Sequence, residues 1–183
     1  MRGYDEIIRI VTRFLNEKKI PYMLVGAVSV AYYGMPRTSA DIDIVIQLGG
    51  RIDEFADFLK KNHFSVDEDG VKPALDEKSH FTVFDDKSPY RLDVKGIYTE
   101  LDRETFKRRR KVNFYGQKVW LNSPEDVVLF KLLFRSEKDL TDAKYVLLKQ
   151  GKRLDKKYLE RKVGEMKLEK IYLKVLRTIK DIR

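Results

Sequence analysis

The segment DIDIVI, which begins at Asp41, combines two acids with four apolar residues. Successive side chains of a β-strand point to opposite faces, so Asp41 and Asp43 share one face and the isoleucines that follow them share the other. A strand with one buried face would therefore present two neighbouring carboxylates on its second face. Two neighbouring carboxylates repel each other, so such a pair is tolerated most easily when a positive charge lies beside it.

A divalent metal ion is one candidate for that positive charge. Mg²⁺ takes oxygen ligands and often shares them with the phosphates of a substrate. The chain has no cysteine and only two histidines, His63 and His80, for which we expect no catalytic role, so any metal should be bound by oxygen. The alternative is a solvated strand end at which Arg37 or Lys95 pairs with the carboxylates.

The rest of the chain shows alternating helical and strand patterns. Apolar residues at helical spacing predict an opening helix that ends near Lys19, before Pro21. Residues 64–80 give no firm prediction. We predict strands at 22–25, 41–48, 81–84, 90–97, 112–115 and 118–121, and helices at 27–33, 52–62, 124–134 and from about 138 to 151, with one or two more between 155 and 183.

A third carboxylate has a candidate position on a neighbouring strand. Residues 81–84 and 90–97 flank a turn-rich segment and are expected to form a hairpin. In the second of these strands Asp93 lies on the face opposite the apolar residues, between Arg91 and Lys95. Asp93 is therefore either a catalytic acid or a member of an ordinary ion pair of the sheet.

Length and charge limit the class of protein. A chain of 183 residues suits one domain, which we divide into a core at 1–122 and a helical region at 123–183 that packs on it. The net charge is +9, of which +7 falls in residues 151–183, and a second basic run spans Lys107–Lys111. Such charge favours polyanions, although a thermophile's surface is an alternative explanation.

No segment of the sequence approaches the roughly 18 apolar residues of a membrane span. The N-terminus runs directly into a charged amphipathic pattern, without the apolar region of a signal peptide. We therefore expect a cytoplasmic protein.

The order of these motifs resembles that of a known enzyme superfamily. A strand, then Gly26 opening a helix, then Asp41-Ile-Asp43 on the next strand resembles the signature of the nucleotidyltransferases with the polymerase-beta-like fold. The residue after the glycine is usually Gly or Ser in that superfamily, whereas this chain has Ala27. A serine hydroxyl that would bind a phosphate is therefore absent, although the backbone N–H remains.

A longer likeness covers roughly residues 20–150. The segments YMLVGAVSVAYYGMPRTSADIDIVI, RLDVKG and LNSPEDVVLFKLLFRSEKDLTDAKYVLL are similar to bacterial and archaeal nucleotidyltransferases related to abortive-infection toxins. This resemblance implies an α+β, polymerase-beta-like fold with a mixed sheet flanked by helices and a C-terminal helical extension. It also suggests membership of a toxin–antitoxin pair.

The resemblance further implies a reaction and a set of site residues. A nucleoside monophosphate would pass from an NTP to a hydroxyl group, with release of pyrophosphate and with Mg²⁺, in two ions, as cofactor. The catalytic and metal-binding residues would be Asp41, Asp43 and Asp93. The residues implied in nucleotide binding are Gly26, Ala27, Ser29, Lys131 and Asp142.

Several residues on the C-terminal helices have more ordinary interpretations as well. Lys131 would contact a phosphate, with Asp139 or Asp142 orienting it, or it would be a solvent-facing lysine. Arg135 and the same two acids could instead form an ion network, which we favour for Arg135.

The sequence leaves the acceptor open among an RNA 3′ end such as that of tRNA, a protein hydroxyl and a small molecule such as an aminoglycoside. The basic segments favour RNA slightly, because Lys and Arg bind phosphate backbones without reading sequence. The alternative function is a non-catalytic binding protein with the same fold, acting as an antitoxin-like partner or an RNA-binding protein, which Ala27 motivates.

Overall fold

The strands of the molecule join into one mixed sheet. The computed structural model describes residues 1–37 and 39–180. The strands are β1 (Tyr22–Leu24), β2 (Asp41–Ile46), β3 (Phe64–Ser65), β4 (His80–Asp85), β5 (Arg91–Lys95), β6 (Arg110–Phe114) and β7 (Gln117–Leu121). Their order across the sheet is β3-β4-β5-β2-β1-β7-β6. Strand β2 is parallel to β5 and β1 is parallel to β7, whereas the other neighbours are antiparallel.

Helices account for most of the remaining described residues. They are α1 (Tyr4–Glu17), α2 (Gly26–Tyr33), α3 (Ile52–Lys61), α4 (Glu68–Asp76), α5 (Glu100–Lys107), α6 (Pro124–Phe134), α7 (Glu137–Gln150), α8 (Lys156–Glu165) and α9 (Glu169–Lys180). Together with the mixed sheet they confirm the predicted α+β class. The predicted helical tail extended to residue 183, and its last three residues lie outside the described residues.

The chain divides into two units. The first consists of Met1–Ala27 and Thr38–Leu121 and contains the seven strands of the sheet. The second consists of Val28–Arg37 and Asn122–Arg183 and is helical where it is described. Most of helix α2 therefore groups with the C-terminal helices, and our division into 1–122 and 123–183 remains a prediction.

Burial in the first unit determines which face of the sheet carries the acids. The residues that alternate with the acids, Ile42 and Ile44 on β2 and Leu92 and Val94 on β5, are at most 1% exposed. Fully burying such a side chain contributes roughly 1.5–3 kcal/mol, so a register slip that exchanged the two faces would be strongly unfavourable. This apolar face therefore fixes the opposite face as the one that presents carboxylates.

The second unit is held by a buried carboxylate at the start of α6. Ser123 is the N-cap, as predicted, and its side chain accepts a hydrogen bond from the Asp126 backbone N–H. The Asp126 side chain accepts hydrogen bonds from Ser123 Oγ at 2.6 Å and from Tyr158 Oη at 2.8 Å. These bonds link α6 to α8 and satisfy an acid that has no exposed surface.

Two helices were absent from the sequence prediction. Helix α4 lies within residues 64–80, where the pattern gave no prediction, and it is capped by Asp67. Helix α5 begins with a capping box, in which Thr99 and Asp102 bond reciprocally to each other's backbone N–H groups. Among the helices of the described residues, none has both the length and the apolar character needed to cross a membrane.

Candidate functional site

Gly26, the first residue of α2, lies directly against the side chain of Asp43. Gly26 has a φ angle of +61°, and a Cβ atom at this position would lie 2.0 Å from Oδ2 of Asp43. The backbone N–H of Val25 donates a hydrogen bond to the Asp43 carbonyl at 3.0 Å. Both the left-handed conformation and the lack of space require glycine here. The turn therefore places the start of a helix directly beside a carboxylate.

The residue that replaces the usual Gly or Ser is buried in this turn. Ala27 is 4% exposed. Ser29, which the resemblance also implied in nucleotide binding, lies within α2 in the second unit and has no exposed surface. Its hydroxyl is therefore enclosed by the protein in this structure.

The three predicted acids lie on one face of the sheet. Strands β2 and β5 pair in parallel, with Asp43 opposite Asp93 and Asp41 opposite Arg91. Neighbouring strands are about 4.8 Å apart, so Asp43 and Asp93 stand side by side on the partly exposed face. The structure thus places Asp41, Asp43 and Asp93 on the same face of two neighbouring strands, with Asp43 against Gly26.

Arg91 provides the positive charge beside these acids. Its Nη2 atom lies 2.7 Å from Asp41 Oδ1, and its Nε atom lies 3.6 Å from Asp93 Oδ2. Thr82 on β4 donates a hydrogen bond to Asp93 Oδ1 at 2.7 Å. The guanidinium therefore bridges two of the three carboxylates.

The alternative partners that we weighed for Asp41 and Asp43 lie elsewhere. Lys95 binds Asp102, with its Nζ atom 3.0 Å from the carboxylate. Arg37 belongs to the second unit and pairs with Asp142 at 3.2 Å. For Asp41, the contact with Arg91 replaces the pairing with Arg37 or Lys95 that we weighed. The parallel register explains why, because it places Arg91 directly opposite Asp41.

The chemistry of this cluster suits a hard cation. Carboxylate oxygens are the ligands that Mg²⁺ prefers, and three carboxylates share the face. Asp41 Oδ1 is buried and, despite its short distance to Arg91, accepts no hydrogen bond of good geometry from the described residues. Within residues 1–37 and 39–180, however, no three metal-ligating side chains already converge on one point. The three carboxylates therefore have the ligand chemistry that Mg²⁺ requires. In this structure the Arg91 guanidinium supplies positive charge beside them.

A second polar cluster surrounds Lys131 in the second unit. The Lys131 Nζ atom lies 2.6 Å from Asp139 Oδ1 and 3.1 Å from Asp142 Oδ2, and its side chain is only 12% exposed. Arg37 contacts the same oxygen of Asp142. The interpretation of Lys131 as a solvent-facing lysine was therefore wrong, because two acids hold it in a mostly buried position.

The charge of Asp139 is stabilised within this cluster. Burial raises the pKa of the carboxyl group, but hydrogen bonds from Lys131 and Ser136 outweigh it and hold the pKa below its usual value. Asp139 also closes a capping box with Ser136 at the start of α7. One carboxylate thus orients the lysine and begins the helix.

Arg135 does not join this network. It is the C-cap of α6, with a left-handed φ of 63°, and its backbone N–H bonds to the Lys131 carbonyl. Its side chain is exposed and forms no ion pair with another described residue. The ion network that we favoured for Arg135 was therefore wrong, because Arg135 caps α6 in a left-handed conformation and its side chain is exposed.

Sequence reasoning missed the contacts of Arg91 and Thr82 with the acids. The alternation of β5 placed Arg91 on the correct face, but a pairing with Asp41 requires knowing that β2 and β5 are neighbours in parallel register. The contact of Thr82 with Asp93 could be predicted only by knowing that these two residues pair across antiparallel strands.

Several solved structures with a similar fold are nucleotidyltransferases. The antibiotic-resistance factor ANT(2″)-Ia, in complex with adenylyl-2″-tobramycin, aligns with a TM-score of 0.63 and 14% identity over 92% of this chain and 98% of its own. The lincomycin-bound lincosamide antibiotic adenylyltransferase LnuA aligns with a TM-score of 0.56 and 17% identity over 79% of this chain and 96% of its own.

A third similar structure is an antigenic nucleotidyltransferase-like protein from Paracoccidioides brasiliensis. Its TM-score is 0.56, with 17% identity over 94% of this chain and 91% of its own. The sequence matches no protein-family model and no curated protein. At these identities the likeness establishes the nucleotidyltransferase fold, while activity must be argued from the residues.

Proposed function

We propose that this protein transfers a nucleoside monophosphate from an NTP to a hydroxyl group of an acceptor. The observation that carries the proposal is the placement of Asp41, Asp43 and Asp93 on one face of the sheet, with Asp43 against the glycine turn at Gly26. Three adjacent carboxylates suit a reaction that assembles a metal ion, a triphosphate and a hydroxyl group.

In this proposal the three aspartates hold Mg²⁺, in one or two ions. The ion would neutralise the triphosphate and polarise the α-phosphate for attack. Arg91 would compete with such an ion for Asp41 and Asp93, because its guanidinium lies beside one oxygen of each carboxylate.

The remaining roles belong to side chains and backbone groups of this chain. Asp93 would accept the proton of the acceptor hydroxyl as its oxygen bonds to the α-phosphorus, while the bond to the pyrophosphate oxygen breaks. The backbone N–H groups at Gly26 and Ala27, at the start of α2, would bind phosphate oxygens. Since Ser29 is enclosed, we assign it no direct contact.

For the second unit we keep Lys131 as the proposed phosphate contact. Its ammonium group is held by Asp139 and Asp142 rather than left to rotate freely in solvent. A lysine fixed in this way loses less conformational entropy when it binds an anion. Asp142 would thus serve nucleotide binding by positioning the lysine.

The acceptor remains one of three classes. RNA 3′ ends and protein hydroxyls follow from the predicted relation to abortive-infection toxins and from the basic segments. Small hydroxyl compounds follow from ANT(2″)-Ia and LnuA, since the first was solved with adenylyl-2″-tobramycin and the second with lincomycin. We favour RNA, because residues 151–183 carry a net charge of +7.

The proposal is tested with the four NTPs, each labelled at the α-phosphate, and with Mg²⁺. Total tRNA, a cell protein extract and a panel of aminoglycosides and lincosamides are offered separately as acceptors. We expect label to enter one class with the wild-type protein and not with Asp43→Asn. Asp57→Asn is the matched control, since Asp57 is an exposed acid on α3. Label that is equal with Asp43→Asn, or that enters no class, would contradict the proposal.

The second candidate function is a binding protein of the same fold without turnover. The contacts of Arg91 with Asp41 and Asp93 favour it, because the carboxylates already have a cation. Calorimetric titration with tRNA separates the two candidates. A binding protein would bind tRNA equally in EDTA and in Mg²⁺ plus NTP, and it would transfer no label. The enzyme would transfer label from the NTP, and only when Mg²⁺ is also present.

A further inference from the structure

A crevice opens at the carboxyl ends of β2 and β5, within the first unit. It has a volume of about 650 Å³ and is bordered by the residues that follow these two strands, Gln47–Gly49 and Gly96–Tyr98. Asp41 lies at the other end of β2, five residues before Ile46, which corresponds to roughly 16 Å along a strand. Asp43 and Asp93 are each three residues before a residue that borders the crevice, roughly 10 Å along a strand, so the crevice adjoins the proposed active site without including its acids.

The inner wall of the crevice is apolar. Five side chains from different elements supply it: Leu48, Ile52, Leu75, Ile97 and Phe106. Leu48 and Phe106 are each 6% exposed, so they belong to the core and form a fixed floor. Small-molecule sites typically combine such walls with a few polar groups, in volumes of about 300–1,000 Å³.

Basic side chains lie at the rim of this wall. Arg103 is paired with Glu100 at 2.8 Å, and Asp76 is the one acid among the residues that line the described crevice. Lys107 is exposed and forms no ion pair or hydrogen bond through its side chain with another described residue. A lysine in the last turn of a helix also offsets the helix dipole, so Lys107 alone does not indicate a ligand.

Arg109 is the stronger sign of a ligand. Its guanidinium lies 4.1 Å from the ring centre of Phe106 and 4.8 Å from that of Trp120, and Nη1 donates to the Phe106 carbonyl. Its Nε atom is buried and has no hydrogen-bond partner among the described residues. Burial also lowers the pKa of this group. Two aromatic rings thus hold a cation that no carboxylate of the described residues neutralises.

We propose that this crevice binds a small organic anion, namely an apolar ring system that carries one sulfonate, phosphate or carboxylate group. The ring system would lie against Leu48, Leu75 and Ile97, and the anionic group would meet Lys107 and Arg109 at the rim. The apolar contact supplies affinity and the cations supply the preference for negative charge. This site is independent of the nucleotidyl-transfer proposal.

The test uses two fluorescent probes that differ mainly in charge. Anilinonaphthalene sulfonate carries an anionic group on an apolar ring system, and phenylnaphthylamine has a similar ring system without the sulfonate. Each probe is titrated against the folded full-length protein. We expect saturable binding of one sulfonate probe per chain, at least about tenfold tighter than binding of the neutral probe.

Two lysines of the same basic run provide the matched variants. Lys107→Glu alters the rim of the crevice, whereas Lys111→Glu changes an exposed lysine outside it. We expect Lys107→Glu to weaken sulfonate binding at least about tenfold and Lys111→Glu to weaken it less than about twofold. Circular dichroism and thermal unfolding show whether each variant is folded.

A third variant tests the apolar wall. Leu75→Trp would narrow the crevice and should weaken both probes, because they share the ring system. The proposal is overturned if the sulfonate probe does not saturate, if the two lysine variants weaken it equally, or if the neutral probe binds as tightly as the sulfonate.

Discussion

The Asp43 carboxylate occupies the space that a side chain at Gly26 would fill, since Oδ2 lies 2.0 Å from the position of a Cβ atom there. The helix that begins at Gly26 and the strand that carries Asp43 therefore pack closely only because residue 26 has no Cβ atom. Any larger residue at 26 must displace the acid on which the proposed chemistry depends.

Gly26→Ala should consequently destabilise the protein by about 2–4 kcal/mol, the sum of a strained left-handed conformation and a displaced carboxylate. Gly49→Ala is the control, because Gly49 has a similar φ of +59° with no atom within 4 Å of the added Cβ. It should lower the free energy of unfolding by only about 1 kcal/mol. Urea denaturation measures both values, and equal losses would show that the contact with Asp43 is unimportant.

Arg91 should compete with a divalent metal for the carboxylates. Arg91→Gln removes the guanidinium from Asp41 and Asp93, so Mn²⁺, used as a paramagnetic substitute for Mg²⁺, should bind roughly threefold to tenfold more tightly. Electron paramagnetic resonance of free Mn²⁺ gives the affinity. Arg9→Gln, which removes an exposed pair with Asp5, should leave it unchanged. Weaker Mn²⁺ binding by Arg91→Gln would mean that Arg91 supports the metal site instead of competing for it.

The contact between Asp139 and Lys131 should make stability depend on pH in the acid range. The pKa of Asp139 is lowered in the folded protein, so its contribution is complete above the unfolded value of about 3.9 and is lost as the pH falls through the folded value. Asp139→Asn should cost about 1–3 kcal/mol at pH 7 and progressively less as the pH falls below the unfolded value. Chemical denaturation at pH 7 and across the acid range tests this, with Asp57→Asn as control. A penalty that does not change with pH would exclude the ionised pair as its source.

The buried bond between Tyr158 and Asp126 should contribute to the second unit. Tyr158→Phe removes a side-chain donor to a carboxylate that has no exposed surface. We expect a loss of about 1–3 kcal/mol, since the acid would remain buried with one donor fewer. Thermal unfolding measures it, and Tyr172→Phe, on α9, is the comparison. A loss no larger than that of the comparison would contradict this account of how α6 and α8 are joined.

Much of the architecture could be predicted because local chemistry determines it. The alternation in DIDIVI and RLDVK places acids and apolar residues on opposite faces of their strands. The pair Ser123 and Pro124 predicts the start of α6. Helix α5 was not predicted although Thr99 and Asp102 form a capping box, because its eight residues include only two apolar side chains, Leu101 and Phe106, which are too few to show a helical period.

The contacts of the candidate site were less predictable, because they depend on which strands become neighbours. Nothing local indicates that β2 lies between β1 and β5, and this order is what sets Asp43 beside Asp93 and Asp41 beside Arg91. Likewise, the buried position of Lys131 follows from the packing of α6 against α7, which turns an apparently ordinary lysine toward two acids.

The most direct test of the central claim is the rate of nucleotidyl transfer by the wild-type protein and by Asp93→Asn, measured with the same labelled NTP, Mg²⁺ and acceptor. If Asp93 completes the carboxylate face and takes the hydroxyl proton, the rate should fall by about 10²–10⁴-fold while the variant remains folded. A folded Asp93→Asn protein that transfers label at the wild-type rate would show that the three acids do not act together.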